Sequence, residues 1–266
     1  MGVPAKYPVR VVFEAKAALR GVLRYNRTVG SIEKKTGEWR RDMTIKAVVF
    51  DFDGTLMDTE SCAFEAIRSI YAEHGEELAL ETWAVCIGTQ GAFDPYADLE
   101  ARMGRRLDRA ELFKRFRARH EERARTVGLL PGVMDRLEEA RRLGWRIGLA
   151  SSSERAWIDL HLERHGIRDY FEAIRTKDDV ERVKPDPALY RLAVEALGAK
   201  PEEAIAVEDS ANGLRAAKAA GLRGLVVPHA LTAHMDFSEA DWLLGSLEER
   251  TFRELGLEAE RLSVSR

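Results

Sequence analysis

Residues 44–56 read Thr-Ile-Lys-Ala-Val-Val-Phe-Asp-Phe-Asp-Gly-Thr-Leu. From Thr44 to Phe52 the run is apolar and rich in β-branched residues, and it stops at Asp-Gly. That pattern predicts a buried strand ending in a turn. In extended backbone Asp51 and Asp53 point to the same side, and Gly54 lets the chain turn sharply enough for both carboxylates to face one pocket. Two carboxylates this close repel, so they need a cation or a shared proton. A hard ion such as Mg²⁺ meets that need, bound by one or two carboxylates together with water and phosphate oxygens. An EF-hand loop also opens Asp-x-Asp, but it requires Gly sixth and Glu twelfth. Here Gly54 is fourth and Cys62 twelfth. Taken alone, the same residues also fit a plain polar junction between strand and loop.

Outward from this stretch the pattern changes twice. Residues 59–127 contain no comparable strand, and their helical periodicity is broken at Gly75, Gly88, Gly91, Pro95 and Gly104, which predicts a helical insert. Beyond it helices and short strands alternate. A helix follows Pro131-Gly132, then come a strand Arg146–Ala150, a helix Glu154–His165, a short strand near Phe171–Arg175 and a helix Pro187–Leu197. A strand Ala204–Val207, a helix Gly213–Ala220 and a strand Gly224–Val227 complete the series. Such alternation predicts an α/β fold, a doubly wound parallel sheet with helices on both faces and ligands at the carboxyl ends of the strands. After about Leu247 a helix and a polar tail are expected.

The strand ends therefore decide the chemistry. The second strand ends in Ala150-Ser151-Ser152-Ser153-Glu154, which taken alone reads first as a helix start with an S-x-x-E capping box, a reading compatible with a hydroxyl and free amides facing an anion. Lys184 precedes Pro185, which holds it extended ahead of the next helix, where a lone lysine is ordinarily solvated. The fourth strand ends in Glu208-Asp209-Ser210, and a third and fourth acid beside Asp51 and Asp53 make sense around a metal. The six histidines lack H-E-x-x-H spacing and read as surface or helix positions, His161 and His165 included. No G-x-x-x-x-G-K-[ST] loop and no G-x-G-x-x-G is present.

Composition narrows the classes. The 266 residues are 45% apolar and 33% charged, enough for a substantial core without disulfides. With 42 basic against 45 acidic residues there is no overall basic field for nucleic acid. Apolar runs such as Ala47–Phe50 and Leu225–Val227 fall far short of the roughly 18 residues of a membrane helix, so a soluble protein is expected. Residues 1–42 carry ten basic and four acidic residues, net +6, which leaves −9 for the rest of a chain whose total is −3. They are read as a basic extension, neither secretory signal nor clear transit peptide, with Met43 as the expected natural start. Cys62 and Cys86 form no ligand cluster and read as reduced core residues, which fits a cytoplasmic location.

Together the four strand ends, Asp51-Phe52-Asp53-Gly54-Thr55, Ser151, Lys184 and Glu208-Asp209, resemble the motifs of the haloacid dehalogenase superfamily of phosphohydrolases. The likeness spans Ile45 to Pro228, 184 of the 266 residues. It implies a Rossmann-like core formed by 43–58 and 128–247, a small helical cap at 59–127 and a C-terminal helix and tail at 248–266. The cap is similar to that of the subfamily containing β-phosphoglucomutase and many sugar-phosphate and phosphoglycolate phosphatases. The resemblance makes Asp51 the nucleophile, phosphorylated in turn, and Asp53 the acid and base. Mg²⁺ would be held by Asp51, the Asp53 backbone carbonyl and Asp209, with Glu208 as ligand or support. Thr55, Ser151, Ser152 and Lys184 would hold the phosphoryl group, and the cap residues Thr89, Gln90 and Phe93 would choose the substrate. Asp58 and Glu60 lead into the cap, as hinge or substrate contact.

Within the family, Asp53 argues against dehalogenases and phosphonatases, which lack it. The mutase alternative shares this acid, but the cap histidine and arginine of β-phosphoglucomutase fall at Ala63 and Gly91 here. A phosphatase of a small phosphorylated metabolite is expected, as a monomer or weak dimer with no nucleic-acid or membrane partner. A phosphomutase is the alternative, and a non-catalytic phosphate-binding module a third reading.

Overall fold

The computed structural model describes residues 45–87 and 93–264. Thr89 and Gln90 of the expected substrate loop, and the extension 1–42, lie outside the described residues.

The first strand, β1 (Ala47–Phe50), is buried along its whole length. Its side chains alternate between two apolar layers, as the two-residue repeat of a strand requires. Val48 and Phe50 join one layer with Ile147, Leu149, Ile205 and Val207. Ala47 and Val49 face the other, with Leu189, Tyr190, Ala193 and Ala216. Four further strands occupy the expected positions: β2 (Arg146–Ala150), β3 (Ala173–Arg175), β4 (Ala204–Glu208) and β5 (Arg223–Val226). A two-residue β6 (Trp242–Leu243), not expected from the sequence, pairs with β5. All neighbours are parallel, in the order β3-β2-β1-β4-β5-β6. Phe50 lies level with Leu149 on one side and Val207 on the other. The order reverses between β1 and β4, and their carboxyl ends therefore open a crevice at the switch point.

Among the described residues the insert 59–127 after β1 contains four helices: α1 (Thr59–Glu73), α2 (Leu80–Ala84), α3 (Pro95–Met103) and α4 (Arg109–Ala124). Their apolar faces meet in a separate cluster that includes Ile67, Ile70, Tyr71, Leu99 and Leu112. Asp58 starts α1 by accepting the Ser61 amide at 3.0 Å. Phe93 packs against this cluster.

The sheet is covered by α5 (Val133–Leu143), α6 (Arg155–Arg164), α7 (Ala188–Ala196) and α8 (Ala211–Ala219). Small residues on the second face let α7 come close: a Cβ on Gly148 would lie 3.0 Å from Leu197 Cδ1. The final helix, α9 (Phe252–Val264), is part of the first layer through Phe252, Leu255 and Ala259. The Glu139 carboxylate of α5 accepts the Phe252 and Arg253 amides at 3.0 and 3.2 Å, so an anion sits at its N-terminus. No helix among the described residues is long and apolar enough to cross a membrane.

Candidate active site

Asp51 follows β1 directly, and its amide donates to Val207 O at 2.9 Å, tying it to β4. Lys184, from the loop before α7, is not solvated as a lone loop lysine would be. It is 1% exposed, pairs with Asp51 Oδ1, and donates to Glu208 Oε1 at 2.7 Å. Glu208 is fully engaged by the protein. Tyr190 Oη also donates to Oε1 at 2.5 Å, Ser210 Oγ lies 3.3 Å from Oε2, and a Cβ on Gly213 would fall 2.0 Å from the carboxylate.

Asp51, Glu208 and Asp209 are all buried, and one carboxylate oxygen from each lies within 4.8 Å of the others. Burial, with Glu208, Asp209 and Asp53 adding to it, pushes the Asp51 carboxyl well above its ordinary range against the pull of Lys184. Burial alone would lower Lys184, but Asp51 and Glu208 outweigh it and raise the ammonium. Burial raises Asp209 as well, although His229 opposes the shift. Three buried acids against one lysine leave a negative centre built from hard oxygen donors, and this donor set fits a divalent cation such as Mg²⁺.

Asp53 turns elsewhere. Its Oδ1 accepts Thr59 Oγ1 at 2.6 Å and Trp157 Nε1 at 3.0 Å, and its Oδ2 accepts Ser153 Oγ at 2.5 Å and Ser151 Oγ at 3.5 Å. The two carboxylates therefore have separate partners, and the Asp53 side chain is not one of the clustered acids. Beside Ser153 and Trp157 a cavity of about 260 Å³ opens towards Arg117 and His120 of α4.

Thr55 Oγ1 lies 3.5 Å from Asp209 Oδ1. Ser151 Oγ accepts the Ser153 amide at 3.0 Å, and Ser152 follows in the same loop. The expected capping box is absent: Glu154 is itself the N-cap of α6 and makes no side-chain cap, while its carboxylate meets Arg117 and Lys177. An acid from outside the helix does the work, Asp178 Oδ2 accepting the Arg155 amide at 2.9 Å. His161 is a helix position as expected, 1% exposed and set against Trp157 and Phe52. Burial pushes the thiols of Cys62 and Cys86 up to about 11, which disqualifies both as ready nucleophiles.

Glu60, in the first turn of α1, is half-buried, and burial with Asp53, Asp209, Asp51 and Asp58 raises its carboxyl well above the usual range. A raised folded-state carboxyl costs stability above that folded value and costs nothing below the unfolded value of about 4.3. Glu60→Gln is thus expected to raise the unfolding temperature of the metal-free protein at pH 8, with the gain vanishing near pH 4. Thermal unfolding at the two pH values checks it, and an equal effect at both would rule out the charge explanation.

Comparison with known proteins fits this geometry. The haloacid dehalogenase-like hydrolase family matches residues 48–227, more than half of the chain. The chain belongs to that family. The putative phosphatase YhcW of Bacillus subtilis is 44% identical over 205 residues, covering 77% of this chain and 93% of its own length. A phosphorylated carbohydrates phosphatase of Thermotoga maritima is 33% identical over 193 residues, 70% of this chain and 87% of its own. A crystal structure of a CbbY variant from Rhodobacter sphaeroides, in complex with xylulose-(1,5)bisphosphate, superposes with a TM-score of 0.63 at 33% identity. It covers 77% of this chain and 96% of that one.

Several residues of the site carry no sequence signal of their own. Thr59, Ser153 and Trp157 converge on Asp53 from three different places, and Tyr190 and His229 reach Glu208 and Asp209 from elements that no motif marks.

Proposed function

We propose that the chain is a Mg²⁺-dependent phosphatase of small phosphorylated metabolites, sugar phosphates among them, acting through a phosphorylated Asp51. The observation that carries this reading is the buried set of Asp51, Lys184, Glu208 and Asp209 at the switch point. An Asp51 carboxylate oxygen attacks phosphorus, the bond to the substrate's alcohol oxygen breaks, and Asp53 delivers a proton to that oxygen. Water then attacks the phosphorus of the phosphorylated carboxylate, Asp53 takes its proton, and phosphate and free Asp51 are regenerated.

Ser151, the Ser152 amide and Lys184 are the groups assigned to the phosphoryl oxygens, with Thr55 beside Asp209. Mg²⁺ bound by Asp51, Asp209 and the Asp53 backbone carbonyl would supply positive charge to the same oxygens. Glu208, with both oxygens engaged by protein donors, acts as support. Before Asp53 serves the leaving oxygen it must exchange donors now supplied by Thr59, Ser153 and Trp157. Asp53→Asn is expected to slow turnover about 10²- to 10⁴-fold, measured as phosphate release, and a trivial loss would reassign the residue.

The two free thiols, Cys62 buried and Cys86 half-buried, suit a reducing compartment such as the cytoplasm. Release of phosphate from a panel of sugar phosphates, phosphoglycolate, nucleotides and an aryl phosphate tests the function. Release is expected with Mg²⁺ and not in excess EDTA. Isomerisation of a sugar phosphate without net release would mark a mutase instead, and full activity in EDTA would remove the metal from the reading.

A further inference from the structure

Asp209 has a partner that the reaction outlined above leaves without a role. His229 lies in the loop after β5, and its Nε2 is 2.9 Å from Asp209 Oδ2. The other ring nitrogen, Nδ1, faces the backbone N–H of Leu231 at 3.4 Å. A nitrogen that accepts carries no proton, so the ring holds its hydrogen on Nε2 and donates it to the carboxylate.

The loop is built to keep the ring there. The His229 amide donates to Thr232 Oγ1 at 3.1 Å, and His229 O accepts the Thr232 and Ala233 amides at 3.0 and 2.9 Å. Leu231 is buried in the apolar cluster of α1–α4, and Met235 packs against the same cluster, so the amide that faces Nδ1 is anchored. The turn after β1 presses on the pair as well. Gly54 has φ +83°, and a Cβ there would lie 2.6 Å from Asp209 Oδ2 and 2.9 Å from His229 Nε2. Oδ2 is thereby taken, while among the described residues Oδ1 meets Thr55 Oγ1 at the longer distance of 3.5 Å.

We propose that His229 is the positioning residue of the metal site: it fixes one oxygen of Asp209 so that the other faces the cation, with Leu231 selecting the ring form that does so. This rests on the assignment of Asp51, Glu208 and Asp209 to a divalent cation. Partners that hydrogen-bond a metal-binding carboxylate or imidazole typically change metal affinity 10- to 100-fold when removed.

The test is calorimetric titration of Mg²⁺ into the full chain after metal stripping, with no substrate present. His229→Ala is expected to weaken Mg²⁺ binding about 10- to 100-fold, while His229→Gln, whose amide nitrogen keeps an N–H donor at the place of the ring Nε2, recovers most of the loss. Binding by a folded His229→Ala variant as tight as the wild type's overturns the proposal, and so does an equal loss in His229→Gln. Should His229→Ala not fold, the ring ¹⁵N spectrum of the wild type decides. The Nε2–H form, perturbed on adding Mg²⁺, supports the proposal, and an Nδ1–H form overturns it. A wild type that binds no Mg²⁺ overturns the metal assignment and this proposal together, whereas tight binding by His229→Ala overturns this proposal alone.

Discussion

Asp51→Asn is expected to reduce phosphate release by about 10⁴-fold or more, the scale seen when a covalent nucleophile is removed. The loss follows from where Asp51 stands. It is the first residue past the central strand, its backbone is fixed to Val207 of β4, and its carboxylate faces Lys184. An amide of the same shape keeps that backbone bond but offers no anionic oxygen to phosphorus. Lys184 keeps Glu208 at 2.7 Å in the variant, so the ammonium is not orphaned, and one member of a crowded acid cluster has lost its charge. The fold is therefore expected to survive, with an unfolding temperature close to the wild type's. Phosphate release and thermal unfolding, measured side by side, separate the two effects. Activity within tenfold of the wild type would remove Asp51 as nucleophile, and loss of activity together with loss of fold would leave Asp51 a structural acid.

What was legible in the sequence was the chemistry carried by strand ends. Asp51, Ser151, Lys184, Glu208 and Asp209 all follow short apolar runs or lead into helices, and a parallel sheet delivers such positions to one edge. Lys184 could not be read alone. Its burial depends on Asp51 and Glu208, which lie far from it along the chain. The grip on Asp53 was hidden for the same reason, because Trp157 is the third residue of α6 and reads there as an ordinary apolar helix position. His229 sits in the irregular loop after β5, where only the fold brings it to Asp209. The capping box does not form because Ser151 Oγ accepts the Ser153 amide and the helix starts three residues later, with Glu154 as its N-cap. A strand as short as Trp242–Leu243 has no periodicity to read.

Lys184→Met is the second large effect, and it falls on stability and activity together. Lys184 is fully buried between Asp51 and Glu208, with its ammonium 5.0 Å from the centre of the Tyr190 ring. Methionine matches the length of the side chain but leaves Asp51, Glu208 and Asp209 without that charge. Removing one partner of a buried pair typically costs about 3–5 kcal/mol. At roughly 2–4 °C per kcal/mol, the metal-free protein is expected to unfold about 6–20 °C lower at pH 8. On the proposed reading Mg²⁺ would bind the folded site, and adding it should then restore part of the loss by linkage. The pH dependence identifies the cause. Lys184 opposes the upward shift of Asp51, so its removal raises that carboxyl further. A raised folded-state carboxyl costs stability above the unfolded value of about 4 and costs nothing below it. The deficit of Lys184→Met should therefore shrink as the pH falls towards about 4, where the penalty on the raised Asp51 carboxyl disappears. Phosphate release should fall about 10²- to 10³-fold, the loss typical of one charge-stabilising donor. Lys184→Arg should not rescue either property, since the planar guanidinium is larger and cannot occupy a point-charge site closed by Tyr190. A deficit of equal size at pH 4 and pH 8 would mean that packing, and not the charge on Lys184, holds the acids together.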